Sequence, residues 1–132
     1  MFLLDTDAVS ELEKPQPNSG VQRWFDTVDW LDLHLSIITI AEIWTGIAAL
    51  PHGQKRRSLE AMFDLIPDRF YGRIVGVDHP IAMKFGDIQA SLTLPTMDTF
   101  IAATAIVKRM TLVTRNRRHM APTGATILDP WT

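Results

Sequence analysis

The sequence contains no cysteine. That excludes a disulfide framework, a thiolate nucleophile and a cysteine-ligated zinc site, and it fits a reducing compartment. Also missing are any run of about 18 apolar residues and any basic segment leading into a signal-like apolar stretch. The expectation is a soluble cytoplasmic protein with no membrane contact. The formal net charge is only −2. A nucleic-acid partner would therefore have to be met by a local basic patch, because the whole surface offers it no attraction. There is no internal repeat and no low-complexity tract. What is present is 132 residues with 46% hydrophobic content. That is the size of one domain, able to bury roughly two-thirds of its unfolded surface, and the composition argues against disorder. Residues 1–132 are read as a single domain.

The chain opens "MFLLDTDAVSEL". Met1 to Leu4 is apolar at every position, the pattern of a strand buried on both faces. "LHLSII" (Leu33 to Ile38), "RIVGV" (Arg73 to Val77), "MTLVT" and "ATILD" read as further strands. Between them, "VQRWFDTVDWL", "TIAEIWTGIAAL", "QKRRSLEAMFDLI", "HPIAMKFGDIQASL" and "TMDTFIAATAIVKR" read as helices, and "EKPQPNSG" as a connecting loop. Strands alternating with helices predict an α/β domain with a mainly parallel sheet.

Three acids occupy comparable places in this plan: Asp5 after the first strand, Glu42 in the helix after the second, and Asp98 at the start of the "FIAATA" helix. Open α/β sheets place ligand sites at the carboxyl edge of their strands. Each acid also has a structural explanation. Asp5 or Asp7 could cap the first helix, and Thr39 with Glu42 fits a capping box. Asp98 suits the positive end of a helix that Thr96 could cap. Position alone leaves these readings open. Taken together, converging carboxylates would repel until one took up a proton, and a divalent cation relieves that conflict. An all-oxygen ligand set favours Mg²⁺ or Mn²⁺ over zinc, and such an ion supports hydrolysis at phosphorus.

The blocks "FLLDTDAVSEL", "SIITIAEI", "LPTMDTFIAATA", "MTLVTRNRRHM" and "ILDPW" resemble, in that order, the signature blocks of PIN-domain ribonuclease toxins of the VapC type. They span nearly the whole chain. The resemblance implies a PIN-like three-layer fold, with a mainly parallel central sheet flanked by helices. It implies Mg²⁺- or Mn²⁺-dependent endoribonuclease activity leaving 5′-phosphate and 3′-hydroxyl ends. It also implies a VapB-like antitoxin partner, homodimers and larger toxin–antitoxin assemblies. Asp5, Glu42 and Asp98 fall on the family's acidic metal-site positions. Asp7 stands where the family often has Asn, either orienting the metal's water or capping the first helix, the reading preferred here. Thr39, with Ser36, lies where small hydroxyls precede the family's Glu, and Thr114 opens "TRNRRHM"; Thr39 and Thr114 are read as supporting the ion's ligands or positioning phosphate.

Two departures stand out. The family's last metal-site block usually supplies another acid, whereas "TRNRRHM" offers Asn116 and His119 at the candidate positions. Asn116 is read as a further metal ligand. His119 could substitute for an acid or position a phosphate, although an exposed histidine in a basic loop is the plainer reading. The stretch before Asp98 is also short for the family. Arg115 is read as gripping RNA phosphate, whereas Lys108 and Arg109 are read as a helix end. Trp24, Trp30 and Trp44 are read as core, interface or base-stacking groups. Two alternatives remain. One is a catalytically silent PIN domain that only binds a partner. The other is a haloacid-dehalogenase-like phosphatase with Asp5 as nucleophile, which lacks the later acidic pair that such enzymes need.

Overall fold

The computed structural model describes residues 1–132. Its centre is a five-stranded sheet of order β3-β2-β1-β4-β5. The strands are β1 (Phe2–Leu4), β2 (Leu33–Ser36), β3 (Ile74–Val75), β4 (Thr111–Val113) and β5 (Ile127–Leu128). All four pairings are parallel, and β1 lies in the middle with Leu4 opposite Leu35 on one side and Val113 on the other. The expectation of a mainly parallel sheet is met by a wholly parallel one.

The unbroken apolar run of β1 is explained by its neighbours. Successive side chains of a strand point to opposite faces, and here both faces are covered. Leu3 and Leu112 pack with Ile81, Ile101 and Ala102 in one core cluster. Leu4 and Val113 pack with Val9, Phe25, Leu35 and Phe70 in another. The first cluster draws on α6 (His79–Ser91) and α7 (Thr96–Lys108), joined by stacked Phe85 and Phe100 rings with centroids 4.0 Å apart. The second draws on α1 (Thr6–Leu12), α2 (Ser19–Thr27) and α5 (Ile66–Arg69). α3 (Ile37–Ala48) touches both, through Ile38 on one side and Ile40 and Ile43 on the other. The remaining helices are α4 (Gln54–Asp64) and α8 (Arg117–Met120), with 3-10 turns at Trp30–Asp32 and Ala121–Thr123. No helix is long and apolar enough to cross a membrane.

Several boundaries differ from the sequence reading. β2 ends at Ser36, and Ile37 and Ile38 open α3. Ser36 Oγ accepts a hydrogen bond of 3.0 Å from the Ile38 amide, so the cap sets the boundary and overrides the strand preference of two branched residues. The third strand is shorter than Arg73–Val77, covering only Ile74 and Val75. Trp30 and Leu31 leave the second helix for the 3-10 turn, which Asp29 caps. Pro95, which has no side-chain donor or acceptor, stands at the cap position of α7, and Thr96 is the first helical residue.

Candidate functional site

Asp5 occupies two roles at once. Its backbone amide donates to Val113 O at 2.9 Å, extending the β1–β4 ladder by one residue. Its side chain caps α1, Oδ1 accepting from the Thr6 amide at 2.7 Å. Oδ2 accepts from Thr114 Oγ1, also at 2.7 Å, across to the end of β4. The strand-end and helix-cap readings of this residue are therefore both correct. The cap reading preferred for Asp7 is not, because Asp5 already fills that place and Asp7 lies in the first turn. Asp7 Oδ2 accepts from the Arg115 amide at 3.1 Å, while its Oδ1 is buried with no hydrogen-bond partner.

The capping box is also replaced. With Ser36 as cap, Thr39 lies inside α3, fully buried, and its Oγ1 has no partner. Glu42 is then too far along the helix to reach back to its start. Its Oε1 instead accepts from Thr6 Oγ1 at 2.7 Å. Thr6 thus ties the first acid's helix to the second acid, and the sequence reading gave it no role. Asp98 lies half-buried in the first turn of α7, as expected.

Asp5, Asp7 and Asp98 share one electrostatic environment. Burial raises the Asp5 carboxyl from 3.8 to about 7, with further upward pressure from Asp7 and Asp98 and opposition from its hydrogen bonds to Thr114 and Thr6. Burial also raises Asp7, against the amide bonds from Arg115 and Ala8, and the charge of Asp129 adds to the rise. Asp129 follows β5 inside the "ILDPW" block and was likewise unassigned in the sequence reading. Asp98 is raised by burial and pulled down by His119.

No three His, Asp or Glu side chains converge to hold a metal ion by themselves. The observed features nonetheless suit a cation held by few protein oxygens and completed by water, the usual habit of Mg²⁺. A buried carboxyl held near 7, a second carboxylate with an orphaned oxygen, and a third raised by burial are an uncompensated store of negative charge.

Past β4, the Asn116 amide donates to Thr114 Oγ1 at 3.0 Å, and Asn116 Oδ1 lies 2.6 Å from His119 Nδ1. Thr114 therefore links Asp5 to the residues that follow the strand. The Arg115 side chain is exposed, and its positive charge is felt by Glu11. Lys108 Nζ pairs with Asp78 Oδ2 at 2.8 Å, and Arg109 ends α7 in a left-handed conformation with φ 56°, which agrees with the helix-end reading of both. Trp24 packs edge-on against Phe2 and Phe25, whereas Trp44 is 41% exposed and lies 5.2 Å from the Phe63 ring. Near Trp44, a groove of about 270 Å³ runs between α1, α3, α4 and α5. Ile43, Ile47 and Phe63 line it, with Thr6, Glu13 and Glu42 among its polar residues.

The family model for the PIN domain matches residues 2–123. The toxin FitB of Neisseria gonorrhoeae is 35% identical over 137 residues, covering 99% of each chain. The VapC ribonuclease Y4jK of Sinorhizobium fredii is 31% identical over 138 residues, covering 99% of this chain and 98% of its own. The crystal structure of FitAcB from Neisseria gonorrhoeae superposes with a TM-score of 0.91 at 34% identity, covering 99% of both chains. That breadth displaces the phosphatase alternative, which rested on the opening motif alone. With its wholly parallel sheet, its acids at the end of the central strand and a family match across nearly its full length, this chain belongs to the PIN-domain family.

Proposed function

We propose that this protein is the toxin of a type II toxin–antitoxin module, a Mg²⁺- or Mn²⁺-dependent endoribonuclease acting in the cytoplasm. The observation that carries the reading is Asp5. It is a buried carboxylate at the carboxyl end of the central strand, raised to about 7 by burial and by neighbouring acids. Such a group is costly to a fold unless function requires it. The likeness to a toxin and to a VapC ribonuclease supports the same reading.

A bound divalent ion supplies polarisation of the phosphodiester and a hydroxide-like nucleophile at neutral pH. In this reading Asp5, Asp98 and Glu42 would hold the ion, in part through its water, with Asn116 as a further oxygen donor. Asp5 cannot swing, because its two oxygens are bound to Thr6 and Thr114. Thr6 fixes Glu42. Asp7 follows two residues after Asp5 in the first turn of α1, and its free Oδ1 orients water. Arg115, Arg117 and Arg118 follow β4, and their exposed guanidinium groups grip RNA phosphates without reading sequence.

The apolar groove near Trp44 suits an antitoxin segment better than RNA, since Ile43, Ile47, Leu59, Met62 and Phe63 offer a polyanion nothing to hold. The FitAcB assembly supports a protein partner for the fold. In this reading the domain comprises residues 1–132, and homodimers join through antitoxin. The test is induction of the protein alone in a bacterial host, with Glu42→Gln and Asp98→Asn variants beside it. Growth arrest with fragmented RNA in the wild type and neither effect in the variants is expected. Arrest without RNA fragments, or equal arrest by the variants, would overturn the proposal.

A further inference from the structure

Resting on that reading of the acidic edge, we infer that His119 is a nitrogen ligand to the bound cation, so that the site prefers Mn²⁺ to Mg²⁺. The argument begins with the ring's partner. Asn116 Oδ1, an acceptor only, lies 2.6 Å from His119 Nδ1. That places the neutral ring's proton on Nδ1 and leaves Nε2 with its lone pair free. A histidine that ligates a metal typically donates its other ring N–H to a carbonyl or carboxylate, which fixes the tautomer and aims the ring. The same arrangement exists here before any ion is considered.

Asn116 is itself anchored. Its amide donates to Thr114 Oγ1, and Thr114 donates to Asp5 Oδ2. The imidazole is thus connected through three consecutive hydrogen bonds to the carboxylate at the end of the central strand. The ring also lies close enough to Asp98 for its charge to counter the effect of that residue's burial. No hydrogen bond of the protein occupies Nε2. Arg117 and Arg118 share α8 with His119, but both are exposed, so solvent screens their repulsion of a cation.

No three His, Asp or Glu side chains close on one point, so water completes much of the ion's shell and leaves room for a nitrogen ligand. Ligand chemistry then decides the metal. Mg²⁺ takes oxygen almost exclusively, whereas imidazole is a good ligand for first-row transition ions. Replacing one oxygen donor by nitrogen weakens Mg²⁺ binding and favours Mn²⁺, and Co²⁺ and Ni²⁺ should follow in rising order.

The test uses the intact protein with MnCl₂ and MgCl₂ and reads binding rather than cleavage. Free Mn²⁺ is titrated by its electron paramagnetic resonance signal, and electron spin-echo modulation detects a coupled ¹⁴N nucleus on bound Mn²⁺. The wild type should show imidazole ¹⁴N modulation that disappears in His119→Ala. Mn²⁺ affinity should fall by roughly tenfold or more in His119→Ala and in Asn116→Ala, the range seen when a ligand's supporting partner is removed. Mg²⁺ affinity should stay within about twofold in His119→Ala. His119→Asp should bind Mg²⁺ more tightly than the wild type does, and unchanged melting temperatures would exclude a merely structural role. Mn²⁺ bound without ¹⁴N modulation, or modulation that survives in His119→Ala, would overturn the ligand assignment alone. An undiminished free-Mn²⁺ signal in the wild type would overturn both this inference and the metal-dependent reading beneath it.

Discussion

Replacing Asp5 by asparagine removes one negative charge from the most buried part of the acidic edge with almost no change in shape. In the folded protein without a cation this carboxyl is raised from 3.8 to about 7. Below pH 3.8 it is protonated in folded and unfolded chains alike, so it costs nothing. As the pH rises towards 7, the unfolded chain ionises freely while the folded chain holds its proton, and stability falls. Above pH 7 the loss is complete. About 3 pH units at 1.36 kcal/mol each amounts to about 4 kcal/mol. Asparagine turns a donor towards Thr114 where an acceptor had been, which returns about 1 kcal/mol of that gain. In EDTA at pH 8, Asp5→Asn should therefore be more stable than the wild type by about 3 kcal/mol, or about 10 °C in melting temperature. At pH 4 the order should invert, because only the hydrogen-bond cost remains. Urea denaturation of both proteins at pH 4, 6 and 8 measures this. A difference independent of pH, or a variant less stable at pH 8, would refute the account of Asp5 as an uncompensated buried charge.

Thr6→Val removes the 2.7 Å bond that holds Glu42. It should cost about 1 kcal/mol of stability and slow single-turnover RNA cleavage roughly tenfold, while RNA binding, read by fluorescence anisotropy, stays unchanged. Gly20→Ala would drive a Cβ into Pro130 O and to 2.6 Å from Thr132 Cγ2. Overpacking of this kind should cost about 2 kcal/mol and release Thr132, whose carbonyl accepts from Asn18 Nδ2 at 3.0 Å. Limited proteolysis of the last residues and urea denaturation check it, and a tail as resistant as the wild type's would contradict it.

Much of the fold was legible because its strongest signals are one-dimensional. A strand that is apolar at every position needs cover on both faces, and Leu3 and Leu4 find it in two separate clusters. Alternating strands and helices implied parallel pairing, and β1 to β5 pair that way. What misled was local competition for the backbone. Ile37 and Ile38 look like strand by propensity, yet Ser36 offers a side-chain acceptor at the right distance and starts a helix under them. Thr39 and Glu42 have the spacing of a capping box, which requires Thr39 at the cap. Once Ser36 takes that place the box cannot form, and Glu42 finds Thr6 instead.

The acids themselves were legible from their positions after strands and at helix starts. Their partners were not, since Thr6–Glu42 and Thr114–Asp5 join residues 36 and 109 positions apart. Nor was the influence of Asp129 on Asp7, which depends on β5 lying beside β4. Such contacts are set by the order of strands in the sheet, which no local pattern encodes. The Asn116–His119 bond is the opposite case. It spans three positions of sequence, and only the side-chain geometry of a short helix reveals it.

The most direct test of the central claim is single-turnover cleavage of a structured RNA by purified protein free of antitoxin. The reaction is run in Mg²⁺, in Mn²⁺ and in EDTA, with Asp98→Asn prepared in parallel. The account predicts cleavage in either metal, no cleavage in EDTA, product fragments bearing 5′-phosphates, and loss of activity in the variant. Cleavage that persists in EDTA, or that Asp98→Asn performs as well as the wild type, would contradict it.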